Sequence, residues 1–292
     1  MNTLLFLFLY FCFGLGGQIL RKFNSNNIAN NEKRGYLLFI TINGLVSCIF
    51  FFVSSKFSIS LTLPTLIFSL IYTIVIVISI ISSFKVLHYA EISNVNISSN
   101  ALSLMLTSPI GFLLFQEIIT ATKLIKIIIM LLALVFVFAE RRTDSKPNIK
   151  FIPILIFIVF AEISNSILLK LYSKTPNVAN ENSFFFFSNF ILFFISLVAY
   201  LVVKNDKKSD QKSIKPLKNP LYILSFMGNT ICSNINSLIS IYLISIIDIS
   251  VYTPTISALG IILGVCASLI FKEKIGLFSY IAAVLSILAM II

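Results

Sequence analysis

The sequence predicts an all-α integral membrane protein with ten transmembrane helices, arranged as two inverted five-helix repeats around a central cavity. The first observation is composition: of 292 residues, 58% are hydrophobic and only 11% are charged, too few charges to cover a soluble protein of this length. The second is that the charges are clustered and leave long apolar stretches between them. The third is an internal repeat, described below.

Ten stretches are long enough to cross a bilayer, which takes about 20 mainly apolar residues. They are roughly 3–20, 36–54, 63–84, 92–115, 122–139, 150–171, 183–203, 219–244, 251–271 and 275–292. Pro64, Pro153 and Pro220 fall near helix starts, where a missing N–H is tolerated. Pro109 and Pro254 fall inside spans, where a kink is expected. Short connections and the absence of a GxxxxGK[ST] motif argue against ATP-driven transport by this chain alone.

The net charge of +11 follows from topology and not from nucleic-acid binding, because the Lys and Arg residues lie between apolar spans. Counted by connection, 17 follow helices 1, 3, 5, 7 and 9, whereas five follow the even-numbered helices. The positive-inside rule then places the odd-numbered connections in the cytoplasm and both termini outside. The four cysteines lie inside apolar spans without CxxC or His-rich spacing, so we expect no metal site, disulfide framework or cofactor.

The later parts of the two halves resemble one another. The first half holds AEISNVNISSNALSLMLTSPIGFLLFQEII from Ala90, and the second holds IDISVYTPTISALGIILGVCASLIFKEKI from Ile247. Each begins with an acid, Ile and Ser, continues as an apolar helix rich in small residues, and ends in Phe-x-Glu. The repeat predicts two five-helix domains, 1–145 and 146–292. Because five is odd, the copies enter the membrane from opposite sides, which is typical of secondary transporters.

Ten helices in two such halves, with SPIGFLLFQE or GVCASLIFKE before a short turn and a closing apolar helix, resemble the EamA-type branch of the drug/metabolite transporter superfamily. The resemblance covers nearly the whole chain. It implies a helical bundle around a cavity that opens alternately to each side, in a protein that moves small metabolites such as amino acids, amines or drugs. The superfamily commonly keeps both termini in the cytoplasm, which conflicts with the charge count.

Glu162 is the sharpest single feature, because it lies near the middle of helix 6 in an apolar stretch. A charged side chain at that depth costs about 2.5–3.5 kcal/mol on insertion scales. It must therefore face a cavity, pair with a cation or stay protonated. One interpretation is a proton- or cation-responsive acid in the substrate path; the other is a structural acid that is either protonated or paired with a lysine, Lys85 or Lys170.

Two helices carry polar stripes at helical spacing. Helix 4 has Asn96, Ser99, Asn100, Ser103 and Thr107, and helix 8 repeats the pattern. The helix 8 stripe consists of Asn229, Ser233, Asn236, Ser237 and Ser240. Such stripes turn inward in lipid; they line a polar cavity, or they only hold helices together. Asn165 and Ser166, about one turn from Glu162, would extend the lining.

Other features have structural explanations. Gly260, Gly264 and Ser268 at four-residue spacing on helix 9 predict close helix packing. Four acids at helix ends are expected to cap or complement helix N-termini: Glu91, Asp248, Glu117 and Glu273. The lone His88, near a helix end, is expected to be an interfacial hydrogen-bonding group.

These patterns favour a secondary active transporter, not an enzyme, that carries a small polar or cationic metabolite by alternating access coupled to protons or another cation. Its expected location is the bacterial cytoplasmic membrane, as a multi-pass monomer or homodimer in contact with lipids and with no nucleic acid. The alternatives are a flippase for lipid-linked substrates, a membrane-embedded enzyme, and a membrane partner or sensor that transports nothing. A membrane enzyme usually gathers several acids or His residues at one site, and this sequence scatters them.

Overall fold

The computed structural model describes residues 3–27, 33–86, 92–118, 120–144, 151–202, 220–272 and 276–291, without some of their side chains near helix ends. Within these ranges the chain forms ten α-helices and no strand. The helices are α1 (Thr3–Asn27), α2 (Lys33–Ser54), α3 (Leu63–Val86), α4 (Ile92–Phe115), α5 (Ala121–Asp144), α6 (Phe151–Lys174), α7 (Glu181–Val202), α8 (Pro220–Ile246), α9 (Ile249–Ile270) and α10 (Leu277–Ile291).

Each helix corresponds to one of the predicted stretches, and most boundaries agree within three residues. The main correction concerns α1, which was expected to end near residue 20 and instead continues to Asn27. Arg21 and Lys22 therefore belong to the helix and not to the connection after it. The predicted end was too early because a hydropathy average drops at a charged residue. The sequence itself has no helix stop signal, such as Gly or Pro, at that point.

Among the described residues, six helices are long and apolar enough to cross a membrane, namely α1, α2, α3, α6, α7 and α9. Together with the all-helical fold of the described residues, they make the chain a multi-pass membrane protein. Helix α8, which carries one of the polar stripes, falls short of that hydropathy criterion.

One end of the bundle, here called the even end, is where α2, α4, α6 and α8 finish. There, Lys170 of α6 donates a hydrogen bond from Nζ to the carbonyl oxygen of Ile244 near the end of α8 (2.8 Å). Glu117, just after α4, accepts a hydrogen bond from the backbone N–H of Ile249 at the start of α9 (2.7 Å). These contacts bring α4, α6, α8 and α9 together at one level.

The opposite end, here called the odd end, is where α1, α3 and α7 finish. Ser225 in the second turn of α8 donates to Oδ1 of Asn24 in α1 (2.8 Å). Thr41 of α2 donates to the hydroxyl of Ser196 in α7 (3.0 Å). Successive helices thus run in opposite directions through the bundle.

Helix neighbours follow a two-fold pattern. Helix α2 packs on α7, α4 on α9, and α5 on α10, while α1 packs on α8 and α3 on α6. The two halves can be compared by replacing each helix with the helix five places away in the chain. This replacement leaves α2–α7, α4–α9 and α5–α10 unchanged, and it turns α1–α8 into α3–α6. The same replacement exchanges three further sets of neighbours: α4–α5 with α9–α10, α3–α7 with α2–α8, and α4–α6 with α1–α9.

The main departure from this pattern lies at the even end. Helix α6 packs against α8 there, whereas α1 and α3, the corresponding pair, make at most marginal contact among the described residues. The largest buried apolar cluster also lies at the even end, and most of its aromatic members come from α2, α3, α6, α7 and α9. These aromatic residues are Phe51, Tyr72, Tyr172, Phe184, Phe185 and Tyr252. The even end is therefore the closed end of the bundle.

Candidate functional site

A cavity occupies the middle of the bundle and consists of two adjoining lobes of about 190 Å³ and 260 Å³. The lobes share side chains from α1, α3, α6 and α8, so they lie side by side in the bundle. The shared residues are Arg21, Tyr72, Glu162, Asn165, Ser233 and Ser237.

The smaller lobe extends from this shared wall toward the odd end. Ser79 and Ser83 line it from the last two turns of α3, and Phe39 lines it from the second turn of α2. The larger lobe lies between α1, α4, α8 and α9, where Tyr10 and Asn100 line it. The cavity is thus separated from the even end by the aromatic cluster and approaches the odd end.

Glu162 lies halfway along α6 and lines both lobes. Its carboxylate accepts hydrogen bonds from the hydroxyls of Ser103 and Ser99, both on α4. The two serines are the part of the helix 4 stripe that faces α6. The acid is therefore neither exposed to lipid nor sealed in a salt bridge; it is held by two hydroxyls at the edge of a cavity.

Arg21 is a charged cavity-lining residue that the sequence analysis did not predict. It lies on α1, lines both lobes and interacts electrostatically with Glu162. The sequence did contain a signal: Tyr10, Gly14, Gly17 and Arg21 recur at spacings of four, three and four, and all of them line the larger lobe. This stripe of α1 would have placed the arginine on the inner face of the helix.

Neither lysine that was expected as a partner of Glu162 in the structural alternative pairs with it. Lys170 donates from Nζ to the carbonyl oxygens of Ile244 (2.8 Å) and Ile247 (2.7 Å), so it caps the end of α8. Lys85 is exposed near the end of α3. The cation that faces Glu162 is Arg21.

Most of the predicted lining residues do face the cavity. Asn165 and Ser233 line both lobes, Asn229 lines the smaller one, and Asn100 and Asn236 line the larger one. These residues come from α4, α6 and α8, as the polar stripes indicated.

Three of the predicted site residues have other positions. Ser103 reaches the site through its hydrogen bond to Glu162. Ser166 is a correction: it is not among the lining residues, because its hydroxyl donates to the backbone carbonyl of Glu162 within α6 (3.1 Å). Asn96 lies in α4, but its side chain is outside the described residues.

Amide groups make the cavity wall rich in hydrogen-bond acceptors. The Oδ1 atoms of Asn165, Asn229 and Asn236 are buried and have no hydrogen-bond partner among the described residues. Burying an unsatisfied amide costs free energy. A polar ligand with several donors would relieve that cost.

The predicted end acids are structural where the structure describes them. Glu117 accepts from the backbone N–H groups of Ile249 (2.7 Å) and Ser250 (2.8 Å), and so caps α9. Asp248 forms a salt bridge with Lys123 (3.3 Å). The other predicted end residues, Glu91, Glu273 and His88, lie outside the described residues.

Helix 9 packs inside the bundle, as its small residues predicted. Gly260, Gly264 and Ser268 are all buried, and Gly260 lies against the Asn100 side chain of α4. The described residues contain no group of three or more His, Cys, Asp or Glu side chains that could hold a metal ion.

Comparison with known proteins identifies the fold and no more. No protein-family model and no curated protein matches the sequence. Several solved structures match; one of them, described as "Crystal structure of protein", has a TM-score of 0.66 at 12% sequence identity, over 99% of this chain and 95% of that one. At that identity the likeness extends to the arrangement of helices. The chain is thus an all-α, multi-pass membrane protein with a polar cavity in its bundle.

Proposed function

We propose that the protein is a secondary active transporter of a small polar metabolite, located in a bacterial cytoplasmic membrane. Ten membrane-crossing helices form two inverted five-helix halves, 1–145 and 146–292, and the cavity between them opens to each side in turn. This is the EamA-type architecture that the sequence resembles.

The observation that carries the proposal is the position of Glu162. An ionisable group halfway along an apolar helix borders a cavity lined by amides and hydroxyls. Ionisable residues at this depth mark substrate or ion pathways, because burial in lipid would be costly. A structural acid would be expected to sit in a closed, fully bonded pair instead.

The helix packing supports alternating access. The neighbour pairs follow an exchange of the two halves, as inverted repeats require. The closed even end and the loosely packed α1–α3 pair at the odd end break that exchange. Such an asymmetry is expected of a transporter whose cavity is directed to one side of the membrane. In the state directed to the opposite side, the odd end would be closed and the even end loosely packed.

Coupling is assigned to Glu162. Its carboxylate is held by Ser99 and Ser103 and interacts electrostatically with Arg21, which lines the same cavity. Gain or loss of a proton there changes the charge of the cavity by one unit. Substrate binding and proton binding at one site are then linked, which is the requirement for proton-driven transport.

The test uses purified protein in liposomes with an imposed pH gradient and a labelled substrate found by a thermal-shift screen of metabolites. Glu162→Gln is expected to abolish gradient-driven uptake or efflux, because the amide cannot exchange a proton. Glu181→Gln is the matched control, since Glu181 is an exposed acid at the start of α7. Wild-type rates for Glu162→Gln would remove the coupling role, and no flux by the wild-type protein would refute transport.

A further inference from the structure

From the charges that face the cavity, we infer that its ligand is a small zwitterion, with its anionic group on Arg21 and its ammonium group on Glu162. This inference rests on the proposed function for its biological meaning, but it concerns binding and can be tested without transport. It assigns a substrate class and gives a binding role to an arginine that no motif marks.

The first step is charge balance. Among the described residues that line the two lobes, Arg21 and Glu162 are the ones that carry a charge, and they carry opposite signs. A ligand with net charge would leave one of them unbalanced in a medium of low dielectric constant, which is costly. A ligand that is neutral overall but carries both charges matches the cavity.

The second step is that the two groups do not neutralise each other directly. The salt bridge among the described residues joins Lys123 and Asp248. Arg21 and Glu162 attract one another without forming such a bridge. Both side chains line both lobes of the cavity, so a ligand bound there can contact both.

The third step concerns the binding capacity of each group. The Arg21 guanidinium presents a planar set of donors that suits a carboxylate. The Glu162 carboxylate accepts from Ser99 and Ser103, which leaves lone pairs for an ammonium group. Asn165 lies one turn from Glu162, and its buried Oδ1 has no partner among the described residues, so it can accept a further ammonium hydrogen.

The fourth step is size. The lobes measure about 190 Å³ and 260 Å³ and meet at Arg21 and Glu162. Pockets for drug-sized ligands span about 300–1,000 Å³; each lobe taken singly is smaller than that, so a ligand that occupies one lobe beside the two charges is small. The wall at the junction consists of Tyr72 and short polar side chains, which fits a compact ligand with little apolar surface.

The probes for the experiment are α-, β- and γ-amino acids, because the distance between the charges is part of the question. Each is paired with its N-acetyl derivative, which keeps only the anion, and its carboxamide, which keeps only the cation. Binding to purified wild-type protein is measured by thermal shift and confirmed by calorimetry. We expect stabilisation by at least one zwitterion and none by its two blocked derivatives. Equal or better binding of a blocked derivative, or no binding by any amino acid in the panel, overturns the inference.

Variants then assign the two ends of the ligand. Arg21→Gln and Glu162→Gln are each expected to weaken zwitterion binding by about tenfold or more, since each removes a charged hydrogen bond. The ligand preference of each variant should also shift. Arg21→Gln should favour the carboxamide, which keeps only the cation, and Glu162→Gln should favour the N-acetyl derivative, which keeps only the anion. A general loss of folding would not produce opposite shifts, and unchanged preferences in both variants overturn the inference.

The control is Lys22→Gln, which removes a charge from the adjacent position of α1 outside the cavity lining and should leave binding unchanged. If Arg21→Gln does not fold, Arg21→Lys serves instead, because it keeps the positive charge but not the planar guanidinium. It should weaken binding of the zwitterion and still bind the carboxamide less well than the zwitterion. Failure of the proposed function is distinguishable: zwitterion binding without flux refutes transport, whereas flux of a ligand with net charge refutes this inference alone.

Discussion

At the scale of single residues, Arg21 and Glu162 are tolerated inside an apolar bundle because each has a polar environment. Two serine hydroxyls bond Glu162, and both charges border a cavity lined by amides. Hydrogen bonds to charged groups contribute about 1.5–3 kcal/mol each, which is comparable to the cost of placing an acid at mid-membrane depth. Ser99 and Ser103 are thus positioning residues for the acid.

Gly44 shows how single residues set the packing of the helices. A Cβ atom added there would lie 2.9 Å from the backbone nitrogen and 3.1 Å from the Cα of Phe193. Those atoms belong to the backbone of α7, so they cannot move aside as a side chain would. We expect Gly44→Ala to force α2 and α7 apart and to lower stability by about 1–3 kcal/mol, measured by thermal unfolding of the detergent-purified protein.

The matched control is Gly16→Ala on α1. A Cβ atom there would meet the sulfur of Cys232 at 3.6 Å, which is an ordinary contact. Alanine also favours the helix by about 0.5–1 kcal/mol relative to glycine. Stability should therefore stay the same or rise, and a Gly44→Ala protein as stable as this control would contradict the close α2–α7 contact.

At the scale of helices, Glu117 links the two halves. Its two carboxylate oxygens accept from the first backbone N–H groups of α9, at Ile249 and Ser250. These groups have no partner inside their own helix, and a carboxylate there also suits the helix dipole. A residue just after α4 in the first half thus fixes the start of α9 in the second half.

Removal of that cap should loosen the even end. Glu117→Ala leaves two N–H groups without their acceptor, so we expect a loss of about 2 kcal/mol or more in stability. Because the cap lies at the closed end, hydrogen exchange should also increase in the first turn of α9. Glu181→Ala, an exposed acid at the start of α7, serves as the control, and equal effects of the two changes would mean that Glu117 is not a specific cap.

At the scale of the whole molecule, most of the helical architecture was predictable. Apolar stretches located the ten helices of the described residues, because a helix in lipid must be apolar over most of its length. Helix ends were less certain, as α1 shows: Arg21 was read as a flanking residue, because hydropathy averages polarity over a window and does not say which way a side chain points. The same averaging keeps α8 below the hydropathy criterion for membrane spans, although its polar residues line the cavity.

The candidate site was predictable only in part. Residues on α4, α6 and α8 were found because polar groups at helical spacing must share a face. Contacts between helices were not, because nothing in the local sequence says that Ser103 meets Glu162 or that Lys170 bonds the end of α8. The interaction of Arg21 with Glu162 was missed for the same reason, because Glu162 lies 141 positions further along the chain.

Orientation in the membrane is the remaining property of the whole molecule, and charge and packing together predict it. Lys123 and Lys170, at the even end, are buried and bound to backbone or acid groups, so they contribute little to a surface charge. When these two lysines are left out of the charge count, the excess of positive residues at the odd end becomes larger. The positive-inside rule then places the odd end, toward which the cavity extends, in the cytoplasm.

Cysteine labelling tests this orientation in intact cells that express a variant without its four native cysteines. Asn177→Cys lies in the exposed connection between α6 and α7 at the even end, and Lys272→Cys lies after α9 at the odd end. A membrane-impermeant maleimide should label Asn177→Cys from outside and label Lys272→Cys only after the cells are permeabilised. The reverse pattern would place both termini in the cytoplasm, as the resemblance to EamA-type transporters implies. The cavity described here would then face the outside, because it extends toward the odd end in either case.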